Sequence, residues 1–252
     1  MKPDRLLAGQ VAVISGGAGD IGRAIARRLH AHGARVALGD VLPIAKVRAR
    51  VAKFHYTEVD VSDSSANDAW LTRVTRDLGL PTLIIPNAAV VELGSALDTS
   101  VEAWNRTLNV NLTGAFLLAQ LAARRLLAAR RRGRIVFVGS WAAHAPHPNI
   151  AAYCAAKAGL RMAMQCLALE LAPHGILVNE VAPGRVDAGL SKRLFDQTPG
   201  FRERARAEVP IRSLLDPSEV ADGVAYLCRP DNRQMTGSVL LLDGGLSLVR
   251  AV

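Results

Sequence analysis

Tyr153 and Lys157 lie four residues apart in the run Ala152-Tyr153-Cys154-Ala155-Ala156-Lys157. On a helix that step sets a phenol and an ammonium one turn apart on the same face. A nearby positive charge favours phenolate over phenol, drawing a tyrosine pKa down from about 10 toward the range of a working acid or base. Taken alone the pair is weak evidence, because the same spacing recurs by chance and Lys157 also fits a solvated helix face. Cys154, beside it, has no partnering base in its local sequence and reads as a small packing residue.

Near the N-terminus, Gln10-Val11-Ala12-Val13-Ile14 reads as a buried strand and runs into Ser15-Gly16-Gly17-Ala18-Gly19-Asp20-Ile21-Gly22. A helical stripe of Ile21, Ile25, Ala26 and Leu29 follows, with Arg23, Arg27 and Arg28 on the wet side and Gly33 closing it. Strand, glycine-rich turn and helix N-terminus together present backbone N–H groups to an anion, the arrangement that holds a dinucleotide pyrophosphate. The next strand, Arg35 to Gly39, ends in Asp40, about 20 residues past the glycines. An acid there accepts from both adenosine ribose hydroxyls and repels a 2′-phosphate, which points to NAD(H) rather than NADP(H). A tight turn and a solvated strand end are the alternatives; the strand and helix context favours the cofactor.

Further motifs fall along the rest of the chain. Asp60-Val61 follows a strand-like run from Phe54 to Val59, and Pro86-Asn87-Ala88-Ala89 follows Thr82 to Ile85. Asn109-Val110-Asn111-Leu112 lies within a long helical stretch, Val101 to Ala129. Ser140 ends the strand Arg134 to Gly139, thirteen residues before Tyr153, and Asn179-Glu180-Val181-Ala182-Pro183-Gly184 comes last. In this order the series resembles the short-chain dehydrogenase/reductase family, from Gln10 to about Ser247. The resemblance implies an enzyme that interconverts a secondary alcohol and a ketone. In it Tyr153 exchanges the proton, Ser140 holds the substrate oxygen, Lys157 lowers the tyrosine pKa and binds the nicotinamide ribose, and Asn111 positions a water. It implies a cofactor bed of Gly16, Gly19, Asp20, Ile21, Gly22, Asp40, Val41, Asp60, Val61, Asn87, Ala88, Ala89, Val110, Tyr153, Lys157, Pro183, Gly184 and Val186. It also implies a homotetramer joined partly through the stretches 101–129 and 151–171, the second of which carries apolar residues on more than one side. Reduction of a 3-oxoacyl thioester is the alternative activity; Asp40 makes an NADPH-linked version less fitting.

Four positions depart from the family pattern. Asp20 stands where a second glycine is usual and reads as a helix N-cap. Pro86 and Ala89 replace an asparagine and a glycine, and Ala188 stands where a threonine commonly meets the nicotinamide amide.

The resemblance places the substrate wall after Ser140 and in a loop around 186–212. Trp141 offers a stacking face and His144, His147 and Arg185 offer donors, with Ser140 and Tyr153 at the reacting oxygen; packing and solvated loops are the plainer readings. Lys192 and Arg193 extend the basic character of that loop.

The elements needed to position these groups alternate strand and helix, which requires an α/β fold. It is a single Rossmann-type doubly wound parallel sheet of about seven strands in one domain spanning residues 1–252. The crossover after Asp40 has room only for a reduced helix between Pro43 and Lys53. Half the residues are apolar, with no 18-residue apolar stretch to span a membrane. Three cysteines without CxxC or CxxH spacing indicate neither a disulfide framework nor a metal site, and with a start lacking a signal-like run they fit a cytoplasmic enzyme. The net charge of +9 and the run Arg130-Arg131-Arg132-Gly133-Arg134 raise nucleic-acid binding. No aromatics interleave that cluster, so a small-molecule enzyme with no nucleic-acid partner is the reading. A silent NAD-binding regulator would tolerate loss of Asn111, Ser140, Tyr153 and Lys157, all of which are present.

Overall fold

The computed structural model describes residues 5–189 and 199–249. Seven parallel strands form one sheet: β1 (Val11–Ser15), β2 (Arg35–Asp40), β3 (His55–Glu58), β4 (Leu83–Ile85), β5 (Gly133–Val138), β6 (Ile176–Pro183) and β7 (Val239–Leu242). Their order is β3-β2-β1-β4-β5-β6-β7, so the chain steps outward from β1 on one side and restarts at β4 on the other. Both faces are covered, which is why β1 and β6 are buried at every position. Alternate side chains serve opposite cores. Ala12, Ile14 and Leu38 pack with α1 (Asp20–Ala31) and α2 (Ile44–Val51), whereas Val11, Val13 and Phe137 pack with α3 (Ser64–Leu78) on the other face.

The carboxyl ends of all seven strands share one edge, and β1 is tied to β4 there by Asn87. Its side-chain amide donates to the Ser15 carbonyl at 2.8 Å and the Gly16 carbonyl at 3.2 Å, while the Asn87 and Ala88 N–H groups donate to Ser15 Oγ at 2.9 and 3.1 Å. Gly16 has φ +63°, a left-handed conformation, and a Cβ on it would lie 2.8 Å from Ala88 Cα. Gly22 is equally committed: its missing Cβ would strike the Gly16 carbonyl, with Gly17 Cα 2.9 Å away.

The stretch 101–129 is not one continuous α-helix. It divides into α4 (Val101–Leu108), a π-helical segment (Asn109–Gly114) and α5 (Ala115–Ala128). The widened turn coincides with a buried Asn111 whose amide donates to the Thr107 carbonyl at 2.9 Å and the Val90 carbonyl at 2.8 Å. Such segments are enriched at functional sites. Asp20 is not the cap of α1: Gly19 is, and Asp20 opens the helix with its carboxylate accepting from Arg23 at 2.5 Å and from Gly189 N–H at 3.0 Å. The reduced crossover helix is present as α2. The helix α6 (Ala151–Leu171) has the bounds read from the sequence. Two helices beyond β6, α7 (Phe201–Glu208) and α8 (Pro217–Cys228), were not among the elements read from the sequence. The second carries a sequence signal in Asp216-Pro217-Ser218-Glu219, where Asp216 and Glu219 form a capping box.

Gly22→Ala is expected to lower the unfolding free energy by about 1–3 kcal/mol, as overpacking does where backbone rather than a flexible side chain must yield. Denaturant unfolding monitored by circular dichroism measures it; a change within error would mean the turn accommodates the methyl.

Candidate active site

The first-turn N–H groups of α1, among them Ile21 and Gly22, emerge at the end of the glycine-rich turn, where a helix leaves its donors without intrahelical partners. The turn is closed from behind: Gly17 N–H donates to the Gly39 carbonyl at 3.0 Å, and Ala18 N–H donates to Asp40 Oδ2, also at 3.0 Å. Asp40 therefore sits at the end of β2 against the turn. Its other oxygen accepts from Leu42 N–H at 3.2 Å, beside an exposed Val41. Past β3, Asp60 holds its own loop by accepting from the Ser62 N–H and hydroxyl at 2.9 and 2.7 Å, and Val61 is buried under Gly114. Glycine cradle, helix end and strand-end acid thus fit a dinucleotide laid across the switch point between β1 and β4.

At the other end of this edge, Ser140, Tyr153, Lys157, Asn87, Ala89 and Val186 line one cavity of about 120 Å³, which Pro183 and Gly184 close from β6. Ser140 leaves β5 in extended backbone conformation and accepts from Ala142 N–H at 3.1 Å. Tyr153 and Lys157 project from the first turns of α6. The ammonium donates to the Val138 carbonyl at 2.9 Å and lies 5.6 Å from the tyrosine ring centroid. A wider open groove of about 510 Å³ runs beside α1 and α8, past Arg23, Arg27 and Asp216, and contains none of the four candidate catalytic residues.

The electrostatics of the pair differ from the sequence expectation. Burial pushes the Tyr153 phenol above its ordinary value; donation from Ser140 opposes this, and the Cys154 and Glu180 charges add to it. The tyrosine as a residue is half-buried, but its titrating end is enclosed. Burial also brings Lys157 down to about 8, against an upward pull from Glu180. Burial is the largest cause for both groups, and the ammonium is directed at the Val138 carbonyl. Asn111 is set apart from them by its bonds: both ends of its side chain are engaged, the Oδ1 accepting from Val90 N–H at 3.3 Å. Val110 shares its π-helical segment.

Around the cavity mouth, Trp141 and His147 meet edge to face at 3.9 Å, and the His147 imidazole is held below its usual value by burial and by the Arg185 charge. Arg185 is paired with Glu208 on α7, leaving its Nε and the His147 Nε2 buried without a partner among the described residues. Lys192 and Arg193 lie outside the described residues. Ala188, the residue in place of a threonine, is buried beside the cavity.

The sequence reading passed over Arg161 and Glu180. Arg161 continues the Tyr153–Lys157 step by another four residues, and Glu180 is a charge inside a wholly buried strand. Either could have been noticed as an unusual place for an ionised group. Of the basic run, Arg134 donates to the Asn232 carbonyl at 2.9 Å, and nearby Arg125 donates to Asp68 at 2.7 Å, so some of these cations serve the fold.

Because the folded chain holds Lys157 near 8 and the unfolded chain does not, the unfolded state binds more protons between about pH 8 and 10.5. Wild type should therefore gain stability relative to Lys157→Met as pH rises through that window, by on the order of 3 kcal/mol. Tyr153 titrates in both proteins and largely cancels in the difference. Paired denaturation curves at pH 7, 9 and 10 check it; a gap independent of pH would show that the ammonium is not desolvated.

Residues 16–247 match the family model described as Enoyl-(Acyl carrier protein) reductase. The chain is 33% identical over 253 residues to a 2,3-dihydro-2,3-dihydroxybenzoate dehydrogenase of Bacillus subtilis, covering 95% of this chain and 97% of that protein. It is 34% identical to a cis-4-hydroxycyclohexanecarboxylate dehydrogenase of Sinomonas cyclohexanicum, covering 95% and 97%. A solved short-chain type dehydrogenase/reductase from Mycobacterium marinum superimposes with a TM-score of 0.88 at 29% identity, covering 97% of each chain. The parallel sheet, the shared strand edge and these relatives together establish that the chain belongs to the short-chain dehydrogenase/reductase family, enzymes that use a nicotinamide cofactor to oxidise hydroxyl groups or reduce the corresponding carbonyls.

Proposed function

We propose that this protein is an NAD(H)-dependent dehydrogenase of a cyclic secondary alcohol, with Ser140, Tyr153, Lys157 and Asn111 as its catalytic group. The observation that carries the reading is the convergence of Ser140, Tyr153 and Lys157 on one cavity closed by Pro183 and Gly184. The glycine-rich turn and α1 would hold the pyrophosphate, Asp40 the adenosine ribose, and Asp60 and Val61 the adenine end. When bound, the nicotinamide supplies the hydride acceptor or donor.

Tyr153 takes the proton from the substrate hydroxyl on oxidation and returns it on reduction, while Ser140 fixes that oxygen by donating to it. A charged Lys157 favours the phenolate that must form. Burial works against the charged form of both groups, but a Lys157 near 8 still carries its charge at neutral pH. Asn111 acts through the backbone, pinning the 87–90 segment to the π-helical segment. Trp141, His147 and Arg185 form the substrate wall. The ring-bearing hydroxy acid and diol in the names of the two relatives support a cyclic, oxygen-rich substrate. Exposed Met162 and Leu169 on α6, 62% and 79% accessible, support assembly as a homotetramer. No helix among the described residues is long and apolar enough to cross a membrane; a cytoplasmic location belongs to the same proposal.

Tyr153→Phe should reduce NAD-linked oxidation of cyclic diols and hydroxycyclohexanecarboxylates by about 10²–10⁴-fold, the usual worth of a positioned acid or base, with NADH binding nearly intact. Retained turnover would remove Tyr153 from the chemistry. Fluorescence titration should show tighter binding of NADH than NADPH, and Asp40→Ala should narrow that gap. An unchanged ratio would mean that Asp40 does not face the ribose.

A further inference from the structure

Tyr153, Lys157 and Arg161 stand one turn apart along the same face of α6. The first two belong to the chemistry proposed above; the third has no place in it. Arg161 reaches across to β6, donating from Nε to Glu180 Oε2 at 2.9 Å and from Nη2 to Oε1 at 2.8 Å. Its Nη2 also donates to the Ser140 carbonyl at 3.3 Å. The side chains are 13% and 2% exposed, so this is a bidentate ion pair in the interior. Glu180 is opposite Phe137 in the β5–β6 register, and its carboxylate fills the space beside Gly139, where a Cβ would strike Oε1. Gly139 N–H in turn donates to the Val181 carbonyl at 2.8 Å.

Stability does not explain such a pair. Desolvating two ions offsets most of their attraction, and apolar residues of similar volume serve a helix–sheet contact as well or better. What the pair does is local: it bonds the Ser140 carbonyl and fills the space at Gly139, the two residues that follow β5, and it sets the Glu180 carboxylate where its charge acts on both Tyr153 and Lys157.

We propose that Arg161 and Glu180 are positioning residues for the reaction, holding the Gly139–Ser140 strand end and setting the charge balance against which Tyr153 and Lys157 exchange protons. This rests on the assignment of Ser140, Tyr153 and Lys157 to catalysis. The groups acting on the phenol and the ammonium are Cys154 from α6, Glu180 from β6, the Ser140 hydroxyl just beyond β5 and the Val138 carbonyl at its end, with Arg161 reaching them through Glu180. Glu180 favours the protonated form of both Tyr153 and Lys157.

The two charges can be removed separately. Glu180→Gln keeps the shape and leaves the guanidinium, so Tyr153 should ionise at lower pH; Arg161→Gln leaves the carboxylate, so Tyr153 should ionise at higher pH. The readout is tyrosinate ultraviolet absorbance, titrated in each variant against the same variant carrying Tyr153→Phe, and it needs no substrate. Opposite shifts of about one pH unit are expected. The double variant Arg161→Met, Glu180→Gln strands no charge; it should titrate near wild type yet turn over cyclic diols at least tenfold more slowly, because the grip on Ser140 is lost. If both single variants shift in the same direction or not at all, or if neither folds and the double variant turns over like wild type, the inference is wrong. Turnover by the wild-type background carrying only Tyr153→Phe is a separate matter: if that persists, it is the catalytic assignment itself that fails.

Discussion

The adjacency of β1 and β4 is the constraint on which the rest of this molecule depends. All seven strands are parallel, and strand order reverses between these two, so the loops leaving them part in opposite directions and open a crevice. Crossovers of one hand bring every strand's carboxyl end to the same edge. Groups from separate stretches of the chain, from Gly16 to Val186, meet there. Asn87 makes the junction rigid, holding the start of the glycine-rich turn from the end of β4 with its side chain and backbone at once. The unusual Pro86 fits this arrangement, since its carbonyl accepts from Val138 N–H and the segment depends on Asn87 rather than on an N–H at residue 86.

A second constraint is electrostatic. The site gathers an ammonium, a phenol, a carboxylate and a guanidinium in the interior, where a charge left unpaired is costly. The three that carry charge are held by directed bonds: Lys157 to a carbonyl, Arg161 to a carboxylate and a carbonyl, Glu180 to both nitrogens of one guanidinium edge. Burial raises the phenol and lowers the ammonium to about 8, so both titrate away from their ordinary values while Lys157 stays charged at neutral pH. Asp20 shows the same economy at the surface. A carboxylate where the family has glycine would repel phosphate if it were free, but it is engaged by Arg23 and by Gly189 N–H.

Much of the fold was legible because its signals are local. Buried parallel strands read as short apolar runs, the glycine-rich turn is a fixed pattern, and α6 is a long apolar segment with clear limits. The break in the stretch 101–129 was not legible, because it coincides with Asn111 bonding to Val90, a residue in another segment. The Asp20 cap failed for a related reason: Gly19 takes the non-helical conformation, so the polar side chain one residue later is free to bond elsewhere. Arg161 and Glu180 are distant in sequence and ordinary as residue types; only pairing across the α6–β6 contact makes them conspicuous.

The sequence by itself determined the α/β class, the order of the strands, and the residue types available for phosphate, ribose and proton transfer, since periodicity, turn chemistry and motif order are properties of neighbours along the chain. Tertiary structure decided which of those residues share a cavity, that Asn111 braces backbone with its side chain, and that burial lowers Lys157 to about 8. Those outcomes depend on burial and on partners brought from remote segments, and desolvation has no counterpart in the spacing of letters.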